Sequence, residues 1–374
     1  MKFSAERTTL LKALAHIQSV AEKRNTIPIL ANVLINAVDG QLSLKATDME
    51  IEAVEVIPAT ISREGATTVP ASVLYEIVRK LPDNEQVELD QASGDTPLQL
   101  RAGRFATRLN ALSVDDFPSM GAGDLPCRFK IATAVLRSLI DRTRFAISTE
   151  ETRYYLNGIF FHATEHEGLR LLRAVATDGH RLARVETELP AGADTMPGII
   201  VPRKTIAELR KLLDEAPTEI EIALSETRVQ FVAGAVTLTS KLIDGTFPEY
   251  ERVIPRNNTR ILRVGKKDFA DAVARVAAIS QERSRPVKLA LEPGLLTLSA
   301  SSPEQGVAKE ELDDNRISFD AEPLEIGFQA RYLNDITDQV EKDVEFAFSD
   351  SSAPTIVRDV DSPSALYVLM PMRV

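Results

Sequence analysis

Residues Ala176–Ala183 read Ala-Thr-Asp-Gly-His-Arg-Leu-Ala, placing a carboxylate, an imidazole and a guanidinium within four positions beside a glycine. That grouping suits general-base chemistry, with Asp178 orienting His180 and a hydrolase as the reaction class. A second copy argues against it. Ala46–Ala53 reads Ala-Thr-Asp-Met-Glu-Ile-Glu-Ala and agrees at Ala, Thr, Asp and the closing Ala, at an offset of 130. An active site is expected to be unique, and the Thr47-Asp48 copy has no histidine. The match points to a repeated fold. His162 and His166, beside Glu165 and Glu167, have a spacing that would favour a metal on a helix. Here they flank an expected hairpin turn, His166-Glu167-Gly168, which splays them, so no metal site is expected. The sequence has no phosphate loop, nucleophile elbow or paired catalytic carboxylates, and no cofactor is expected.

The elements that carry these residues recur three times. In the first repeat a short strand at Lys2–Ser4 precedes a helix with Leu10, Leu11, Leu14, Ile17 and Val20 on one face. Strands are expected at Asn32–Val38, Leu42–Ala46, Ile51–Val56 and Thr67–Val69. Pro70 opens a helix through Lys80, and strands at Gln86–Leu89 and Leu98–Leu112 lead to Phe117-Pro118. The second repeat has a helix over Thr133–Phe145, a hairpin of Tyr154–His162 with Leu169–Ala176, and a helix opened by Val201-Pro202. Strands at Glu219–Leu224, Val229–Val232 and Val236–Leu242 follow. Val201-Pro202 lies 132 beyond Val69-Pro70, and Phe247-Pro248 lies 130 beyond Phe117-Pro118. The third repeat has helices at Lys267–Ile279 and Ala330–Lys342. Its strands are Leu289–Leu291, Leu295–Ala300, Val344–Phe348, Thr355–Val360 and Ala365–Met370, and Ser301-Ser302 replaces Thr-Asp. The fold class is therefore α+β: three domains, 1–125, 126–255 and 256–374, each two helices packed on antiparallel sheets.

The 374 residues suffice for several domains, and 44% hydrophobic content supplies each with a core. No run is long enough for a membrane span, and the N-terminus has no signal core. One cysteine, Cys127, fits a reducing compartment. The net charge of −11 argues against nucleic acid, but its distribution reverses that reading. The six expected helical segments, counted over 5–24, 70–80, 133–145, 202–213, 266–285 and 330–342, hold 20 basic and 11 acidic residues, leaving 24 basic and 44 acidic elsewhere. If the helices share one surface, it attracts a polyanion while the rest repels it, and it contacts phosphates without reading bases.

The chain resembles the beta subunit of bacterial DNA polymerase III, the sliding clamp. The residues that carry the resemblance are Met1-Lys2-Phe3, Leu30 to Asn32, Arg153–Gly158, Ala176–Ala183, Val201–Lys204, Phe247–Tyr250 and Val368–Val374. It implies a homodimeric ring around duplex DNA. Twelve helices, each about 10 Å wide, would set a circle roughly 38 Å across their axes with a hole of roughly 28 Å. The implied function is a non-enzymatic processivity factor, cytoplasmic and nucleoid-associated. The implied partners are the polymerase III catalytic subunit, the clamp loader, other polymerases and repair proteins.

The resemblance also implies site residues. Arg24, Tyr154, Tyr155, Arg203 and Lys204 match DNA-contact positions, and Arg79 joins them by position. Ser72 stands where well-known members carry a basic residue, and Glu150 where they carry glutamine. A pocket for short peptides containing apolar residues and glutamine would use Arg153, Leu156, Thr177, Gly179, His180, Arg181, Leu182, Pro248, Arg252 and Val253. Gln329, Tyr332, Pro354, Val368, Met370, Pro371, Met372 and Arg373 complete it, Gln329 and Pro354 departing from the familiar pattern. Methionine suits varied partners, and Leu182, Val253 and Val368 suit an aliphatic anchor. The alternatives are the hydrolase and a protein-only scaffold, the latter expected to show no retention on DNA.

Overall fold

A computed structural model describes residues 1–22, 26–92, 96–121, 123–280 and 286–373. Among them six α-helices occur in chain order: α1 (Arg7–Ile17), α2 (Ala71–Lys80), α3 (Thr133–Asp141), α4 (Arg203–Leu212), α5 (Lys266–Ala277) and α6 (Ala330–Thr337). Each follows a strand directly. Packing divides the chain into two compact units. The first is 1–137 with 190–197 and 204–242; the second is 138–189 with 198–203 and 243–374.

The first unit holds two antiparallel sheets. The larger runs Cys127–Ala132, Glu219–Leu224, Arg228–Ala233, Val236–Lys241, Ile51–Pro58, Gln41–Thr47, Asn32–Val38 and Gly65–Pro70. It crosses from one repeat to the next where Val236–Lys241 pairs with Ile51–Pro58. The smaller runs Thr60–Arg63, Lys2–Glu6, Gln86–Asp90, Leu98–Ala102 and Phe105–Leu109, which leaves Phe105–Leu109 at its edge. Helix α1 buries Leu10, Ala13, Leu14 and Ile17. At about 1.5–3 kcal/mol for each large aliphatic side chain, that face outweighs the weak helix propensity of so short a segment. Helix α2 buries Ala71, Leu74 and Val78 and stops at Leu81, which Pro82 pushes into extended geometry (φ −70, ψ 153).

The second unit repeats the scheme. Its larger sheet runs Ile199–Pro202, Gly158–His166, Leu169–Thr177, Arg181–Glu188, Ser362–Leu369, Thr355–Asp359, Asp343–Phe348, Arg260–Gly265 and Ile317–Ser318. Here the crossing is Arg181–Glu188 against Ser362–Leu369. Its smaller sheet, Gly306–Asp313, Leu295–Ser302, Pro286–Glu292 and Leu324–Gln329, leaves Gly306–Asp313 at an edge.

Several expectations change. Leu98–Leu112 is a tight hairpin instead of one strand, turning at Gly103 (φ +55). The helix expected over Thr133–Phe145 stops at Asp141, and that over Ala330–Lys342 stops at Thr337. In both, a threonine hydroxyl bonds back into the last turn: Thr143 Oγ1 donates to Leu139 O (2.6 Å) and Thr337 Oγ1 to Leu333 O (3.0 Å). Such back-bonding competes with helix continuation. Tyr154 and Tyr155 lie on a 3-10 segment, Glu151–Leu156, and not on a strand. The strand begins only at Gly158, where any Cβ would collide with Val201 O. His162 and His166 share that strand instead of flanking the turn.

Candidate functional site

The two Thr-Asp runs build the same turn. In the first, Thr47 Oγ1 donates to Ile51 O (2.8 Å) and accepts from Met49 N (3.0 Å). Asp48 Oδ1 accepts from Glu50 N (2.8 Å) and Ile51 N (2.7 Å). In the second, Thr177 Oγ1 donates to Arg181 O (2.7 Å) and accepts from Gly179 N (3.1 Å). Asp178 Oδ1 accepts from His180 N (2.9 Å) and Arg181 N (3.0 Å). The third residue has positive φ in both, +74 at Met49 and +88 at Gly179. Asp178 thus serves the backbone, and its Oδ2 takes Arg181 Nε at 3.1 Å. The His180 ring stacks on Tyr332 instead, 6.2 Å between centroids. The Asp-His pairing that a hydrolase needs is not what this turn makes.

What differs between the copies is what surrounds the turn. Around the second is a cavity of about 240 Å³ lined by Leu156, Thr177, Gly179, Arg181, Leu182, Pro248, Glu249, Tyr250, Val253, Val368 and Met370. Nine of these are expected pocket residues; Glu249 and Tyr250 are additions. Tyr250 lies two residues beyond Pro248, inside the run Phe247–Tyr250 that carries the resemblance, so its place in the pocket wall was within reach of the sequence. Leu182 and Val368 are paired across the strand crossing, and Met370 N bonds to His180 O (2.9 Å). Leu156, Val175, Ile200, Phe247 and Leu366 form the buried support. Val253 and Met370 are 52% and 40% exposed, apolar side chains left open at the rim.

Arg181 is fixed inside the wall. It donates to Asp335 Oδ2 (2.6 Å) and Phe145 O (2.6 Å), and lies over the rings of Tyr332 (4.4 Å) and Phe145 (5.1 Å). Arg153 reaches the rim. Its Nε donates to Glu150 Oε2 (2.8 Å), and a Cβ at Gly179 would sit 2.5 Å from its Nη1. Arg252 is exposed and paired with Glu249. Met372 N bonds to Gly327 O (2.8 Å), with Pro371 beside it half-buried and Arg373 exposed. Gln329 stands at the N-cap position of α6 without a side-chain capping bond, and Pro354 O accepts from Asn258 Nδ2 (2.9 Å); neither lines the cavity.

In the first copy the corresponding space is occupied by polar contacts. Met49 replaces the glycine. Glu52, in the place of Leu182, lies 3.4 Å from Lys45 Nζ and accepts from Met120 N (3.3 Å).

The DNA-contact candidates divide. Tyr154 is 54% exposed and meets Tyr155 edge-on at 5.7 Å; both pack on the Gly245 backbone. Arg203 is exposed at the first turn of α4, with its backbone N–H on Asn157 O (2.9 Å). Lys204 is tied to the Asp48 carboxylate, with Glu22 at 3.7 Å. Arg79 pairs with Glu76 (2.7 Å), and Glu150 pairs with Arg153 (2.6 Å). Ser72 lines a groove of about 580 Å³ with Val73, Glu76, Ile77, Lys80, Leu81, Pro82 and Phe105. Arg24 lies outside the described residues.

Known proteins fit this architecture over its whole length. The DNA polymerase III beta subunit family matches by its N-terminal domain at 1–121, its central domain at 130–249 and its C-terminal domain at 251–373. The beta sliding clamp of Caulobacter vibrioides is 51% identical over 375 residues, covering both chains fully. A solved DNA polymerase sliding clamp from Caulobacter crescentus aligns with TM-score 0.95 and 51% identity, covering 100% of each chain. A DnaN sliding clamp from Bartonella birtlesii, solved bound to griselimycin, aligns with TM-score 0.96 and 47% identity, again over 100% of each.

Proposed function

We propose, from the premise that this chain belongs to the DNA polymerase III beta subunit family, that two copies close head to tail around duplex DNA. The chain is a DNA sliding clamp of replication, a processivity factor. The observation that carries the ring is a pattern of covered and uncovered strands. The fourth strand of repeat one, Ile51–Pro58, is covered by Val236–Lys241, and that of repeat two, Arg181–Glu188, by Ser362–Leu369. The fourth strand of repeat three, Gly306–Asp313, and the last strand of repeat one, Phe105–Leu109, are sheet edges.

A second copy supplies each missing neighbour. The net charges agree: Arg104 and Arg108 mark one edge, and on the other Glu304, Glu310, Glu311 and Asp313 outnumber Lys309, which pairs with Glu311, and Arg275, which pairs with Glu310. Val307, 75% exposed, and Phe105, 44% exposed, are apolar side chains that pairing would cover. Unpaired edges of this kind are normally protected, and a symmetric partner protects both at once.

In this reading the domains are 1–125, 126–255 and 256–374, and Arg79, Tyr154, Tyr155 and Arg203 face DNA; Arg24 joins them by resemblance alone, and Lys204 would have to leave Asp48 to reach a phosphate. Ser72 and Glu150 stand at DNA-contact positions without positive charge. Contacts to phosphates alone let the ring slide, and closure converts weak, salt-sensitive binding into retention. The cavity around Thr177–Arg181 receives apolar peptide motifs of the polymerase III catalytic subunit, the clamp loader, other polymerases and repair proteins. The protein works in the cytoplasm, at the nucleoid, without a catalytic step of its own. Native mass spectrometry tests the ring. The wild type is expected at twice the chain mass, and Arg104→Glu with Arg108→Glu at the monomer mass. A wild-type monomer at micromolar concentration, or a dimer indifferent to both reversals, contradicts the strand pairing.

A further inference from the structure

Behind the cavity lies a buried polar cluster that the pocket assignment leaves unused. Arg173, on the strand Leu169–Thr177, is 3% exposed, a depth an arginine reaches only with its donors matched. Its Nε donates to Glu186 Oε2 (2.7 Å). Its Nη1 donates to Glu251 Oε1 (2.5 Å) and to the Tyr250 hydroxyl (3.3 Å). That hydroxyl also lies 2.9 Å from Nε2 of His162. The His162 ring stacks on Phe160 (4.8 Å), which stacks on Phe247 (4.8 Å). Tyr250, whose ring lines the cavity, is therefore held at its far end by a guanidinium and an imidazole.

We infer that Arg173 and His162 are positioning residues for the peptide pocket, fixing its aromatic wall through the Tyr250 hydroxyl, and that this grip requires a neutral His162. The inference rests on the pocket reading above. Nδ1 of His162 lies 3.1 Å from the Ala163 carbonyl, so Nδ1 carries the proton and Nε2 accepts. The Tyr250 hydroxyl then donates to His162 and accepts from Arg173, and every group is matched. Protonation makes Nε2 a second donor aimed at the same oxygen, and the hydroxyl's own proton loses its acceptor. The new cation also faces Arg173, opposed by the Glu251 carboxylate, while Arg184 and Glu186 lie beyond, around Arg173. Burial, reinforced by Arg173, holds the imidazole below its ordinary range, so the matched form prevails at neutral pH.

The test is calorimetric titration of the full-length protein with an acetylated, amidated peptide of glutamine, leucine and phenylalanine, which has no group titrating between pH 5 and 8. Tyr250→Phe removes only the hydroxyl and is expected to bind about 3–10-fold more weakly at pH 7.5. The wild type is expected to lose affinity as pH falls from 7.5 to 5, by no more than about tenfold at pH 5.5 for an imidazole held below its ordinary range near about 6.5. His180→Gln, at the pocket rim, keeps that loss, whereas His162→Gln abolishes it. Wild-type affinity in Tyr250→Phe, or a pH response that survives His162→Gln, overturns the inference. Should Tyr250→Phe melt early, the pH profile of His162→Gln decides. Absence of binding by the wild type, or full binding by Met370→Glu, overturns the pocket itself and the inference with it.

Discussion

The paired turns at Thr47–Ile51 and Thr177–Arg181 allow a mirrored experiment at Gly179 and Met49. Both residues have left-handed backbone, φ +88 and +74. Such geometry costs an L residue roughly 1–2 kcal/mol. Gly179→Ala incurs that strain and recovers about 0.4–1 kcal/mol from a stiffer unfolded chain, a net loss of about 1 kcal/mol. For a unit of this size the melting temperature should fall by about 2–4 °C. The new Cβ would also stand 2.5 Å from Arg153 Nη1. The Arg153–Glu150 pair is part-exposed, 35% and 50%, and so holds weakly, and the guanidinium yields before the backbone does. A displaced rim cation should weaken peptide binding by up to about fivefold. Met49→Gly does the reverse: it releases strain, gains up to about 1 kcal/mol and leaves peptide binding unchanged. Scanning calorimetry and peptide titration on both variants are the assay. Gly179→Ala with wild-type melting and affinity, or Met49→Gly with impaired peptide binding, refutes the reasoning.

Other perturbations test other parts of the account. The Glu55 carboxylate, 2.8 Å from Nδ1, raises His16 above its ordinary range despite burial. A raised folded value stabilises fully below the unfolded value near about 6.5 and fades as pH rises through the folded one, so His16→Gln should destabilise more at pH 6 than at pH 9. Thermal melts at the two pH values check this, and equal losses count against it. Arg203→Glu should lower the slope of log affinity against log salt by about 0.9 or more on linear duplex DNA, seen by fluorescence anisotropy, without shifting the melting temperature. Supplying Glu311→Arg on a second chain should restore dimers to the Arg104→Glu, Arg108→Glu double variant, with native mass as the readout. Truncation of Met370–Val374 should abolish peptide binding by calorimetry and leave the dimer mass intact.

Much of this was legible because the sequence repeats itself. The offset of 130 between the Thr-Asp runs predicts equivalent turns, and Thr177 and Asp178 make the same backbone bonds as Thr47 and Asp48. Strands such as Asn32–Val38 and Glu219–Leu224 announce themselves by alternation along one buried face. One edge strand and one crossing strand were harder. Gly306–Asp313 is mostly exposed and polar, so it has no apolar face to read, and Arg181–Glu188 is nearly continuously buried at its start. The pocket's apolar wall, Tyr250 included, was within reach of the motifs, but the anchoring of Tyr250 was not. Its role depends on Arg173, 77 residues away in sequence and buried against Glu186, where sequence alone would place a charge in solvent. Lys204, expected to be available to DNA, meets Asp48 across 156 residues, a separation no local pattern encodes.

A closed ring is held on DNA by topology. The protein is loaded by its clamp loader on nicked circular DNA, isolated with the DNA by gel filtration at physiological salt, and the circle is then cut once by a restriction enzyme. The protein is expected to stay with the intact circle and to leave after cutting. Arg104→Glu with Arg108→Glu is expected never to become retained. Protein that remains on the linear DNA, or is lost equally from the uncut circle, contradicts a closed ring.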